Sequence, residues 1–260
     1  MNAHAPLRHR RRRRAGTAAV ICAMVVGVWN AAMLLDIAFT SLTYEYEHVH
    51  WGEWDMCFHS YQLARGRNPY PLGSTGRMMS MPYTPLMAVL TAPVLRLTGP
   101  RIEVGRSLSL VCFGLTLLWV YLLARREQRL SPPWALLSVL ACAMVVPLSE
   151  FSLPKFHPNA LAICLGLAGM LVWVGNPRST RRTIVAFGLA LAAFYAKQTA
   201  VVFFVALIVL TLIQNRRRAL LVGSGTVATG AVLWLLGNHL TSGGLGFYCF
   251  HLPASFPLLP

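Results

Sequence analysis

Long apolar runs separated by short basic clusters set the pattern of this chain. Runs of spanning or near-spanning length cover 17–39, 107–124, 133–149, 159–175 and 219–238, and one longer apolar stretch covers 183–214. A bilayer's hydrocarbon core takes about 20 apolar residues of helix. The 183–214 stretch exceeds that and is interrupted by Lys197, so it predicts two short helices, 183–196 and 198–214, that meet at the lysine. The run at 84–98 is shorter, carries Pro85, Pro93 and Arg96, and ends at Gly99-Pro100. It predicts an interfacial or re-entrant segment that does not cross.

The polar punctuation gives the direction of each run. Basic residues cluster at 8–14 (RHRRRRR), at Arg125, Arg126 and Arg129, at Arg178, Arg181 and Arg182, and at Arg216, Arg217 and Arg218. Clusters of this kind favour the cytoplasmic side. If all four lie there, each interval between them holds an even number of crossings, and parity removes 84–98 from the set. The expected fold is therefore all-α: a polytopic helical membrane protein with about seven transmembrane helices. It comprises a basic cytoplasmic N-terminus (1–16), a transmembrane domain (17–238) with a large first outer loop (40–106), a smaller outer loop (150–158), and an outer tail (239–260). The first run is too long for the hydrophobic region of a signal peptide and reads as an uncleaved helix.

Composition supports this class. The chain is 56% hydrophobic and 12% charged, which excludes an ordinary soluble domain. Its net charge of +15 invites a nucleic-acid reading, but the bases sit in short clusters between apolar runs, as in membrane loops. Cys22, Cys112, Cys142 and Cys164 lie within apolar runs and read as small buried hydrophobes. Cys57 and Cys249 fall in the expected outer loops, where a disulfide between them stays open.

The longest polar interval, Trp51 to Pro85, is where chemistry is expected. It holds Glu53 and Asp55, with Glu45 and Glu47 just upstream, so half of the eight acidic residues lie in this region. Such acids also read as solvated loop carboxylates. Lys197 is the second candidate. A lysine at the centre of a membrane helix costs about 2.5–3.5 kcal/mol on insertion scales, so it marks either a functional site or the outer turn of a hairpin. Arg65, Arg67, Arg77 and Arg106 add positive charge near the acids. Asp36 stands near the outer end of the first run. Tyr70 and Tyr83 read as members of an interfacial aromatic belt. His48, His50 and His59 offer no third ligand at diagnostic spacing, so neither a metal nor another cofactor is expected.

Three segments resemble the GT-C superfamily, polytopic membrane glycosyltransferases that use a polyprenyl-phosphate-linked sugar. The first runs from Gly52-Glu53, with Glu53 thirteen residues before Gly66, through QLARGRNPY to Tyr83-Thr84-Pro85-Leu86. It is similar to the family's acid, "G-x-x-x-Y" and "Y-P-P-L" elements. The second is Gly105-Arg106-Ser107-Leu108-Ser109-Leu110, which leads into a helix ending LLARR and looks like the family's second crossing. The third, Ala196-Lys197-Gln198-Thr199-Ala200, is similar to a "K-Q-T/S" element at the outer end of a helix hairpin.

The resemblance implies transfer of a sugar from a polyprenyl-phosphate carrier to a lipid, glycan or protein acceptor on the outer face of the membrane. Glu53, favoured by spacing, or Asp55, favoured by residue type, would act on the acceptor hydroxyl. Lys197, Gln198, Arg106 and Arg65 would serve the donor phosphate, and Tyr70, Tyr83, His157 and Asn159 would line the cavity or its loops. The chain departs from the family in reading YTPL rather than YPPL. Its Lys155-Phe156-His157-Pro158-Asn159 loop stands where many relatives carry an aspartate. Relatives usually continue for several more helices, so the tail is expected to be truncated. The alternatives are a non-catalytic remnant or assembly subunit of the same fold, and a transporter; the latter usually shows paired ionisable residues in two repeated halves.

Overall fold

A computed structural model describes residues 52–72, 82–148 and 155–255, together with scattered positions between Ile21 and Leu42 that are all helical. The first predicted crossing is therefore described only in part, and Glu45, Glu47, His48, His50 and Arg77 lie outside the described residues. Among the described residues the protein is all-helical. Its main helices are α1 (Glu53–Ala64), α2 (Leu86–Thr98), α3 (Ile102–Arg126), α4 (Pro132–Leu148), α5 (Asn159–Gly175), α6 (Thr180–Ala196), α7 (Val201–Gln214) and α8 (Arg216–Leu240). A short 3₁₀ turn at Gln198–Ala200 joins α6 to α7, and a run of short helical turns follows α8 from Gly244 to Ser255.

The helix ends follow local chemistry. α1 starts after Gly52, whose φ of 124° suits glycine, and carries Glu53 and Asp55 in its first turn, where the helix dipole favours acids. It stops at Gly66, with a left-handed φ of 69°. The expectation that these acids lie on a loop is thus corrected: they open a helix. Ser179 caps α6 by accepting from Arg182 N at 3.3 Å, and Asn215 caps α8 by accepting from Arg218 N at 2.9 Å. Lys197 breaks the long apolar stretch, as the sequence predicts. Its backbone is extended (φ −153°, ψ 128°) between α6 and the 3₁₀ turn.

α3 packs against both α4 and α5, α5 through α8 follow as successive hairpins, and the short pair α1–α2 lies beside α3 and α6. The α5–α6 seam is built from small residues. Ala186, Ala190, Ala193 and Ala196 are fully buried along α6, and a Cβ on Gly169 would come within 2.9 Å of the Ala186 carbonyl. Close approach over small residues is how helices associate where lipid removes the hydrophobic drive between them. The outward faces are apolar: Val202, Val205 and Val209 on α7 and Leu221, Val232 and Leu235 on α8 are all exposed. In water such a surface would aggregate; against hydrocarbon it is at rest.

α3 and α8 are each long and apolar enough to cross a membrane, and α2, α5 and most of α4 and α7 are shorter apolar helices. Within the 84–98 segment Leu86–Thr98 forms the 13-residue helix α2, short for a crossing and with Pro93 inside it. Cys57 and Cys249 are both buried free thiols. The open disulfide between them is therefore not formed, and the tail that carries Cys249 folds against the bundle.

Candidate active site

The site grows from one face of α3. Gly105, Arg106, Ser109, Cys112 and Thr116 recur at helical spacing and are all buried. The side chain of Arg106 is fully enclosed and meets Glu53 of α1 in a two-pronged ion pair. Nε donates to Oε1 at 3.0 Å and Nη2 to Oε2 at 2.7 Å. Glu53 Oε1 also accepts from the backbone N–H of Phe156 at 2.7 Å. Leaving a charge in such a place without its partner would be costly, so the two side chains and the Phe156 amide form one unit.

That unit fixes the loop before α5. Phe156 is fully buried against Gly105, where an added Cβ would lie 1.9 Å from the ring. Ser109 Oγ donates to the carbonyls of Lys155 (2.7 Å) and His157 (3.4 Å). With Phe156 locked on one side, His157 and Asn159 face the turn between α6 and α7. His157 Nε2 and the Tyr83 hydroxyl share a hydrogen bond of 2.7 Å, with the rings edge to face at 4.8 Å between centroids. Lys197 Nζ donates to Asn159 Oδ1 at 2.5 Å and lies 5.5 Å from the centre of the Tyr83 ring. Tyr83, His157, Asn159 and Lys197 thus form a half-buried polar cluster drawn from three distant stretches of chain. Burial pushes the Lys197 ammonium below the usual lysine pKa and holds the Tyr83 hydroxyl above the usual tyrosine value.

The other predicted residues take supporting positions. Tyr70 is buried rather than interfacial, which corrects the aromatic-belt reading, and its hydroxyl donates to Tyr83 O at 2.7 Å. Gln198 Nε2 donates to Pro82 O (2.7 Å) and Cys249 O (3.3 Å), so its amide holds the Tyr83 segment and the tail. Thr84, in the YTPL element, donates to Phe194 O at 2.8 Å and pins the same segment to α6. Asp55, two residues beyond Glu53, is half-buried. Arg65 is exposed; its guanidinium lies 5.8 Å from the Tyr61 ring centre and lines a separate pocket with Arg96. Sequence reasoning missed Phe156, Ser109 and Thr84. The spacing of Gly105, Ser109, Cys112 and Thr116 on one face of α3 is the signal that points to Ser109.

Below the α6–α7 turn, a cavity of about 480 Å³ opens between α6, α7 and α8. Its walls include Phe194, Val201, Phe204, Trp234 and Phe250 and are almost wholly apolar. A hydrocarbon chain is the kind of ligand such walls suit.

Helices faced with exposed aliphatic side chains and a buried ion pair that orders a lysine-bearing polar cluster define a helical membrane protein with a built site at one end of its bundle. The family is shown by sequence. The chain belongs to the dolichyl-phosphate-mannose-protein mannosyltransferase family, whose model matches residues 82–239, more than half of its length. Tyr83, Arg106, His157, Asn159, Lys197 and Gln198 fall inside the matched region; Glu53, Asp55, Arg65 and Tyr70 precede it. Searches of curated proteins and of solved structures returned no match.

Proposed function

We propose that this protein transfers a sugar from a polyprenyl-phosphate carrier to an acceptor hydroxyl at the outer face of the membrane. The observation that carries the reading is the Tyr83–His157–Asn159–Lys197 cluster, set at a helix break beside an apolar cavity in a chain of this family. In this reading the prenyl chain lies in the cavity between α6, α7 and α8, and the phosphate meets Lys197. As the bond from the sugar's anomeric carbon to the phosphate oxygen breaks, negative charge grows on the leaving phosphate, and the ammonium stabilises it. His157 and Tyr83 offer hydrogen bonds to the phosphate or the sugar.

The acceptor oxygen attacks the anomeric carbon and gives its proton to a base. We assign that base to Asp55. Both Glu53 oxygens are already held by Arg106, and Oε1 by Phe156 N as well, so Glu53 serves as a positioning residue for the 155–158 loop. By the same reasoning Arg106 serves Glu53, Gln198 holds the segments at Pro82 and Cys249, and Arg65 stands outside the phosphate site. The cluster faces outward because Lys197 lies at the end of α6 opposite the arginine clusters, which favour the cytoplasm.

The test is incorporation of labelled sugar from a panel of polyprenyl-phosphate donors into membranes that contain the protein. Transfer that depends on Lys197 supports the reading. No transfer from any donor, or transfer indifferent to Lys197→Ala, overturns it.

A further inference from the structure

At the end of the bundle away from Lys197, the α5–α6 and α7–α8 loops lie side by side. Arg218 Nη1 donates to Pro177 O at 2.7 Å and ties one loop to the other. Between them is a cavity of about 720 Å³ lined by Asn176, Pro177, Arg178, Gln214, Asn215 and Arg218. A smaller one of about 210 Å³ adjoins it, where Arg217 and Arg218 meet Leu221 and Val222. Arg181, Arg182 and Arg216 stand exposed nearby, and neither 176–182 nor 214–218 contains an acidic residue. The amino ends of α6 and α8 open on the same side and add to the positive field.

Arginines that only orient a chain in the membrane need no cavity between them. This cluster has one, and it grades from guanidinium groups at one end to aliphatic side chains at the other. Ile184, Ile213, Leu220 and Leu221 are exposed close by. A ligand that suits the whole surface carries phosphate at one end and hydrocarbon at the other. We propose that the α5–α6 and α7–α8 loops form a binding site for the headgroup of an anionic phospholipid, whose chains lie along α6 and α8. Basic pockets between transmembrane helices are suited to such headgroups. Nucleic acid fits less well, because the cavity is continuous with surface that faces hydrocarbon. The inference is independent of the glycosyltransferase reading.

Purified full-length protein in neutral detergent is titrated separately with phosphatidylglycerol, phosphatidylcholine and inorganic phosphate while its thermal unfolding is followed. Phosphatidylglycerol alone is expected to raise the midpoint saturably. Arg178→Gln with Arg217→Gln should weaken half-saturation about 30-fold, taking the usual contribution of a basic residue at an anionic surface for each. Arg126→Gln with Arg129→Gln, which removes equal charge from the end of α3 and the turn that follows it, should leave it unchanged. Native mass spectrometry of the same variants should show phosphatidylglycerol retained by the second pair and lost by the first. An equal response to phosphatidylcholine, an equal response to free phosphate, or equal losses in the two pairs would each overturn the proposal.

Discussion

Glu53 and Arg106 stand 53 positions apart and close a buried two-pronged ion pair, with Nη2 2.7 Å from Oε2 and Nε 3.0 Å from Oε1. One helix supplies the acid, another the base, and the carboxylate's Oε1 also accepts from Phe156 N, at the foot of the loop that carries His157 and Asn159. The pair therefore links the first polar segment to the cluster around Lys197.

Removing one partner should cost stability before it costs chemistry. Breaking a buried pair typically destabilises by about 3–5 kcal/mol, because the other charge is left in a poor solvent. Arg106→Ala is expected to lower the thermal midpoint in detergent markedly. Arg106→Lys should rescue little of it, since an ammonium cannot reproduce the two parallel donors of a guanidinium. A lysine variant as stable as the parent would show that charge alone suffices.

For Asp55→Asn the expectation is the reverse: a fold that stays intact and a loss of turnover. Loss of a general base is typically worth about 10²–10⁴-fold in rate. Donor binding should change little, because the carboxylate acts on the acceptor in the transition state. Both quantities come from sugar-transfer kinetics with donor varied. Near-parental turnover in Asp55→Asn, together with a well-folded but inactive Glu53→Gln, would move the base to Glu53.

The state of Lys197 sets an alkaline limit. Burial disfavours its charged form, so its pKa lies below the ordinary lysine value, and the ammonium is lost as pH rises through that lowered value. If the charge holds the leaving phosphate, kcat/KM should fall on the alkaline side with a midpoint below 10.5, the unperturbed value. Lys197→Arg should carry that fall to higher pH, whatever its effect on the plateau, because a guanidinium stays charged there. A profile unchanged between lysine and arginine would assign the limb to another group.

What the sequence made legible follows from the range over which each force acts. Apolar run length and arginine clusters are local, so the helices at 159–175 and 183–214 and the break at Lys197 could be read directly. The pairing of Glu53 with Arg106 is tertiary. The sequence offered several arginines near the acids and nothing local to choose among them, so Arg106 read as a phosphate ligand. The burial of Tyr70 and the bonds of Gln198 to Pro82 O and Cys249 O are tertiary too: a tyrosine near a membrane face, or an amide beside a lysine, reads as surface or ligand until the segment it holds is seen. Gly105 was visible in its motif, but its purpose depends on Phe156, fifty-one residues later.

Gly105→Ala tests that last relationship. In an open helix this change would help, since glycine is roughly 1 kcal/mol worse than alanine in a helix interior. Here the new methyl would sit 1.9 Å from Phe156 Cγ, well inside contact distance, so the ring must move. Phe156 cannot shift freely, because its own amide is held by Glu53. Displacing it drags His157 away from Tyr83 and Asn159 away from Lys197. Turnover is therefore expected to fall by about tenfold or more, in keeping with the effect of misplacing a site by an ångström. The protein should remain folded, because α3 itself is unharmed. Combining Gly105→Ala with Phe156→Ala removes the Cγ and Cδ atoms that meet the methyl and should recover part of the lost activity, whereas Phe156→Ala alone should lower activity by opening a gap at the same place. Such opposite effects in one double-mutant cycle are the signature of direct contact. Additive losses across the cycle would place the role of Gly105 elsewhere.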